Sequence, residues 1–406
     1  MTDAFPTLDD IRTAASRIEG AIVDTPMKRS RLLSERTGAD LWLKFENLQH
    51  TGAYKERGAL NKLLQLTPGQ AARGVVTASA GNHAQAVAYH ARRLGIPATI
   101  VMPEPTPTVK VVQTEGHGAR VVLHGQMVDD AFERAYQLEA EEGLAFVHPF
   151  DDAAVIAGQG SLALEMLAAT PDLDTLVVPI GGGGLISGIA LAAKAIRPEI
   201  EVVGVEAKLY PSMKNVIEGG NGPIGGDTLA EGIAVKYPGK LTREIIRSHV
   251  DRIELVEERD LERAVALLVG IEKTVVEGAG AAGVAAILAQ PERYAGRKVA
   301  TVLCGGNIDT HLLANVLVRE LVRCGRIARL RIAAADRPGA LAAITACFHA
   351  SGVNIIEVQH HRIFTALPAK DTVIEVEAEA RDAAAIDALV TRLERGGFDV
   401  TRAALD

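Results

Sequence analysis

Aromatic side chains make up only 4% of this 406-residue chain, with a single Trp. Its interiors must therefore be built from aliphatic groups. Cysteine is scarcer still, at Cys304, Cys324 and Cys347. An odd count with no CxxC pair argues against a disulfide framework and against a zinc site, and it fits a reducing compartment. Lys and Arg are nowhere gathered into a stripe, and the net charge is −8. Neither nucleic acid nor an anionic membrane surface is expected as a partner. The N-terminal MTDAFPTLDDIR lacks the apolar stretch of a secretory signal, so the expected location is cytoplasmic. One uncharged run, 176–193, approaches the length of a membrane span. It contains Pro179 and four consecutive glycines, whose backbone polar groups lipid would leave unsatisfied. It reads as a buried strand, a loop and a helix, and no metal site is expected.

The remaining composition, 48% hydrophobic and 23% charged, is that of a globular protein, and the length suits two or three domains. From about 40 to 320, strand-like and helical runs alternate. Strands are expected over 75–79, 97–103, 119–125, 144–150, 176–180, 201–207 and 298–304, with helices over 84–95, 108–116, 129–143 and 185–196. Strands separated by helices of this length need crossover connections, hence a parallel, doubly wound α/β arrangement. The stretch is too long for one sheet, so two lobes are expected, with a ligand cleft at the carboxyl ends of strands. The last part differs. It reads as a strand over 328–336, a helix over 340–352, a strand over 354–363, a loop over 364–371, a strand over 372–380, a helix over 381–395 and a final strand from Phe398. That order is βαββαβ, the ferredoxin-like unit, joined by a linker near 322–328. In TVIEVEAEA, Ile374, Val376 and Ala378 alternate with Glu375, Glu377 and Glu379, as in a half-buried strand.

Two features carry chemistry. Lys55 stands between a turn at Thr51-Gly52 and a helical run. Gly181, Gly182, Gly183 and Gly184, followed by Leu185, come after an apolar strand and open a helix. Consecutive glycines let backbone N–H groups converge, and a helix N-terminus adds partial positive charge, which suits a phosphate. Four glycines are too costly in chain entropy for a tight turn alone. A nicotinamide dinucleotide is the obvious rival, with Glu206 ending the next strand where a ribose-binding carboxylate belongs. However, the spacing lacks a true G-x-G-x-x-G.

KFENLQHTGAYKERGALN, TASAGNHAQ (77–85), GGGGL (181–185), AEGIAV (230–235) and VLCGGN (302–307) together resemble the threonine dehydratases. These are pyridoxal-phosphate enzymes of fold type II, tryptophan-synthase-β-like, alongside serine racemase. The resemblance spans roughly 5–320. It implies a large lobe from 1–53 and 148–322 and a small lobe from 54–147. It makes Lys55 the Schiff-base lysine and the base that removes the Cα proton. It places Tyr54 against the cofactor, Asn82 at its ring hydroxyl, the polyglycine run with Leu185 at its phosphate, and Cys304 opposite its pyridine nitrogen. It also assigns Ser79, Ala80, Gly81, Asn82 and His83 to the substrate carboxylate and Glu277 to the cleft. Each has a plainer reading: Asn82 as a helix cap, Cys304 as a small buried apolar group, Glu277 as a solvated or capping residue. Ala80 departs from relatives that racemise serine, which carry Ser there, so dehydration without racemisation is expected.

Residues 328–406 resemble an ACT domain. The resemblance implies an amino-acid effector at Arg337, Pro338, Gly339, Ala340 and Asn354, and pairing into a dimer or tetramer. The expected activity is elimination of water from threonine or serine to give 2-oxobutanoate or pyruvate and ammonium, under control by a branched-chain amino acid. The alternatives are a serine or threo-3-hydroxyaspartate dehydratase, a NAD-dependent oxidoreductase and a non-catalytic amino-acid sensor.

Overall fold

The computed structural model describes residues 5–363 and 368–403. In chain order its strands are β1 (Met27–Arg29), β2 (Asp40–Lys44), β3 (Val75–Ala78), β4 (Ala98–Met102), β5 (Arg120–Leu123), β6 (Ala145–Phe146) and β7 (Thr175–Pro179). They continue with β8 (Glu201–Ala207), β9 (Arg252–Val256), β10 (Lys298–Val302), β11 (Ile327–Ala335), β12 (Asn354–His361), β13 (Asp371–Glu379) and β14 (Asp399–Arg402). The chain divides into two compact units between Ile308 and Asp309.

The first unit holds two sheets, ordered β1-β2-β10-β7-β8-β9 and β5-β4-β3-β6. All pairings are parallel except β1 with β2. Every residue of β7 is buried, and helix Gly278–Ala289 buries ten consecutive residues from Gly278 to Ile287. A strand covered on both faces needs no polar alternation, which is why LVVPI reads as an unbroken apolar run. Helix Lys55–Leu63 packs on helix Ala153–Ala169 and on helix Asn82–Leu94. Its first contact is close because it lacks side chains: a Cβ on Gly158 would fall 2.6 Å from the carbonyl of Arg57. At its far end, Lys62 pairs with Asp152 at 2.6 Å, and Asp152 caps Ala153–Ala169 through the N–H groups of Ala154 and Val155. The Lys55 helix is thereby held against helix Ala153–Ala169.

The strand expected over 144–150 is much shorter, because β6 stops at Phe146. Beyond it Pro149 has no N–H to give, and His148 Nδ1 accepts the N–H groups of Phe150 (3.2 Å) and Asp151 (2.8 Å), which turns the chain. β10 likewise ends at Val302; the next residues leave the sheet, and Tyr54 N–H donates to the carbonyl of Cys304 at 3.1 Å.

The second unit opens with helix Thr310–Arg323 and continues as an antiparallel sheet ordered β12-β13-β11-β14. Helices Ala340–Ser351 and Ala383–Arg395 pack on each other, over a core that includes Leu330, Ile332, Phe348, Ile374, Val376 and Leu389. The alternation in β13 holds, with Ile374, Val376 and Ala378 buried. Helix Thr310–Arg323 belongs to this unit and packs on β11, whereas the sequence assigned it to the large lobe through 322. The expected linker is only a tight turn through Gly325 (φ +73°) between that helix and β11. Of the loop expected over 364–371, residues 364–367 lie outside the described residues. Among the described residues no helix is long and apolar enough to cross a membrane.

Candidate active site

The carboxyl ends of β3, β7 and β10 all lead into segments that line one cleft, beside the start of the Lys55 helix. Lys55 donates from Nζ to the carbonyl of Pro149 at 2.7 Å and lies 5.3 Å from the centre of the Tyr54 ring. Its surface is half-buried. Enclosure by protein lowers its pKa to about 8, although Cys304 and Glu277 partly oppose this. Such an amine is neutral in roughly a tenth of molecules at pH 7, far more than a surface lysine. Cys304 is buried, and burial together with Glu277 pushes its thiol well above the usual range, so it stays protonated. Tyr54 is pushed up by burial as well.

After β7 the chain turns through the four glycines. Gly183 takes φ +100° and precedes helix Gly184–Ile196, whose N-terminus no side chain caps. The corner is closely walled. A Cβ on Gly182 would strike the Phe150 ring, and one on Gly184 would fall 2.9 Å from Phe150 Cα. Thr242 Oγ1 donates to the carbonyl of Gly182 at 2.7 Å, which holds the peptide plane. Gly181 backs onto Ile233, Leu185 is buried at the start of the helix, and the N–H groups of that first turn are available to an anion.

After β3, Ser79 Oγ accepts the N–H of Gly81 at 3.3 Å, and helix Asn82–Leu94 starts without a side-chain cap. Asn82 is thus inside the helix rather than its cap. Its Nδ2 donates to Glu277 Oε1 at 2.8 Å, and its Oδ1 accepts from Asn307 Nδ2 at 2.8 Å. Asn307 Nδ2 also donates to the carbonyl of Thr51 at 2.8 Å. Ala80 and Gly81 are half-buried, and a Cβ on Gly81 would meet nothing within 4 Å. His83 turns away from the cleft: its ring is buried, Nε2 lies 3.0 Å from the carbonyl of Val147, and Nδ1 has no partner. Burial, with Lys55 nearby, lowers its pKa to about 3, so the ring is neutral.

Glu277 neither caps its helix nor faces bulk water. Burial raises its pKa to about 7 against the opposing bond from Asn82, and Glu231 adds to the rise. Glu206 serves a different end from ribose binding: its buried carboxylate accepts the N–H groups of Met213 (2.8 Å) and Lys214 (3.0 Å). Burial raises it to about 7.

Lys55, Tyr54, Asn82, Glu277, Cys304 and the glycine corner are therefore gathered around one cleft. Sequence reasoning missed the Pro149 carbonyl, Phe150 and Asn307. Asn307 and Glu231 lay inside quoted motifs, but neither Pro149 nor Phe150 had a pattern to mark it. In the second unit, Arg337 to Ala340 form a turn: Ala340 N–H donates to the Arg337 carbonyl at 3.2 Å and Gly339 has φ +90°. Pro338 is exposed there, and Asn354 is exposed at the start of β12, paired in register with Glu379.

A desolvated amine, a glycine-walled helix N-terminus and a neutral thiol suit a phosphorylated aldehyde with a ring nitrogen, and pyridoxal phosphate has those parts. Residues 18–305 match the family of pyridoxal-phosphate dependent enzymes, and the chain belongs to that family. It is 42% identical over 396 residues to the L-threonine ammonia-lyase of Thermotoga maritima, covering 97% of this chain and 98% of that one. It is 39% identical over 317 residues to the L-threo-3-hydroxyaspartate ammonia-lyase of Saccharomyces cerevisiae, covering 77% of this chain and 96% of the relative. Among solved structures, the processed form of threonine deaminase isoform 2 from Solanum lycopersicum superposes with a TM-score of 0.72 at 33% identity. That match covers 76% of this chain and 92% of the tomato chain. The dinucleotide alternative falls with this family membership and with the capping role of Glu206.

Proposed function

We propose that this chain is a threonine ammonia-lyase, converting L-threonine to 2-oxobutanoate and ammonium and L-serine to pyruvate. The observation that carries it is Lys55 Nζ held 2.7 Å from the Pro149 carbonyl in the cleft, in a chain similar end to end to a threonine ammonia-lyase. Bound pyridoxal phosphate supplies an aldehyde for amino groups and a conjugated ring that takes up the electrons of a broken Cα–H bond. Residues Gly181, Gly182, Gly183, Gly184 and Leu185 would hold its phosphate through backbone N–H groups, Cys304 would face its ring nitrogen and Tyr54 its ring. Asn82 would meet its ring hydroxyl.

Lys55 removes the Cα proton. Its lowered pKa keeps part of the population neutral, and Pro149 orients the amine. The uncapped turn at Ser79, Ala80, Gly81 and Asn82 receives the substrate carboxylate through backbone N–H groups. His83 supports that turn from behind through its bond to Val147. Glu277, protonated in part near neutral pH, holds a proton at the cleft wall beside Asn82. Cys304, a buried neutral thiol, would leave a ring nitrogen facing it unprotonated, which would favour loss of the β-hydroxyl.

We assign the catalytic lobes to 1–53 with 148–308 and to 54–147. The second unit is read as an ACT domain on its βαββαβ order, with the turn at Arg337, Pro338, Gly339 and Ala340, and with Asn354, as its site for a branched-chain amino acid. A cytoplasmic homo-oligomer is the form expected to act. The test is ketoacid release from a panel of hydroxy amino acids, with and without isoleucine or valine. Release from L-threonine supports the reading; release from none of them overturns it.

A further inference from the structure

The outer wall of the cleft includes an ion pair between the two sheet layers of the first unit. Lys110, in helix Thr108–Gly116 beside the four-stranded sheet, places Nζ 2.7 Å from Glu231 Oε2. Glu231 opens the single helical turn Glu231–Ile233, which is wedged between the phosphate-binding corner and Glu277. A Cβ on Gly181 would fall 3.2 Å from Ile233 Cα, and one on Gly232 would fall 3.2 Å from Glu277 Oε1. Both partners are charges that Glu277 feels: Glu231 raises its pKa and Lys110 lowers it. Glu231 and Lys110 thus stand beside Glu277, and a bound amino acid whose side chain faced that wall would meet both charges. Overall similarity does not settle what that side chain is, since relatives at 42% and 39% identity carry names for a neutral and an acidic substrate.

We propose that Glu231 makes the site selective for β-hydroxy amino acids without a second carboxylate. By occupying Lys110 it removes a cation that would otherwise receive a distal carboxylate, and it adds its own negative charge beside Glu277. A substrate carrying hydrogen or methyl at the β-carbon meets no such repulsion. This rests on the ammonia-lyase reading and narrows its substrate class.

The test compares kcat/KM for L-threonine and for L-threo-3-hydroxyaspartate, which would yield oxaloacetate and ammonium, in the holoenzyme. The variants are Glu231→Gln and Lys110→Met, at an exposed and a half-exposed position. The wild type should favour threonine. Glu231→Gln should raise the hydroxyaspartate-to-threonine ratio about tenfold, because Lys110 is freed, and Lys110→Met should lower it. A pair that merely straps the layers together would slow both substrates alike and leave the ratio unmoved in both variants. An unmoved ratio in both variants, with threonine turned over by the wild type, overturns this inference alone, as does a wild type that prefers hydroxyaspartate. If the wild type releases ketoacid from neither substrate, the ammonia-lyase reading fails and this inference falls with it.

Discussion

Asn82 donates from Nδ2 to Glu277 Oε1 at 2.8 Å, across the cleft from one sheet layer to the other. The bond only partly offsets the burial that raises Glu277 to about 7. A carboxyl whose folded pKa lies above its unfolded value of 4.5 binds more protons folded than unfolded between those values, so its contribution to stability is lost as pH rises from about 4.5 to 7. Glu277→Gln removes that dependence. In the apoprotein, the stability of the variant relative to wild type should improve by roughly 3 kcal/mol between pH 4.5 and pH 8. Urea denaturation at the two pH values measures it; parallel curves would show Glu277 to be solvated in the fold.

The glycines that line the cleft are not equivalent. Gly182→Ala would drive a methyl group into the Phe150 ring, whereas Gly81→Ala would place one in open space. The first should destabilise the apoprotein by about 1–3 kcal/mol, as overpacking does, and weaken cofactor binding, while the second should leave stability near wild type. Thermal unfolding of the apoproteins, together with cofactor titration of the first, distinguishes them.

On the proposed placement of the substrate, Ala80 carries no proton to give to Cα. L-Serine should therefore be eliminated to pyruvate with little D-serine formed, and Ala80→Ser should increase D-serine. Chiral chromatography of reaction mixtures checks this; D-serine forming in the wild type as fast as pyruvate would contradict it.

The turn at Gly339 has a backbone angle that L side chains rarely adopt, with φ +90°. If residues 337–340 hold an amino-acid effector, Gly339→Val should abolish the response to isoleucine or valine while leaving turnover without effector close to wild type. Rates with and without each amino acid, in the full chain, are the measurement. A variant that still responds as wild type does would move the effector site elsewhere.

Much of the fold was legible because its strands are apolar runs ended by glycine or proline. β8 and helix Thr108–Gly116 fall on their expected residues, and the Gly95 and Gly352 caps both take left-handed angles. The failures share a cause. β6 ended early because a side chain, His148, supplied the acceptor that turned the backbone, and periodicity does not register such a bond. Helix Thr310–Arg323 changed units because its amphipathic pattern says that a face is buried, not against which sheet. The plainer reading of Asn82 as a cap rests on local preference, whereas its amide is taken by Glu277 and Asn307, with sequence separations of 195 and 225. The glycine corner was found because its chemistry is local, and Lys55 because the motif around it resembles that of the threonine dehydratases. Phe150, which walls that corner, touches it only through the folded chain.

The most direct measurement is borohydride reduction of the holoprotein followed by peptide mapping. The account predicts a yellow protein in which reduction fixes the phosphopyridoxyl group to Lys55, and a Lys55→Ala variant that is not labelled there and releases no ketoacid from threonine. A label on another lysine, or full threonine turnover by Lys55→Ala, would contradict it.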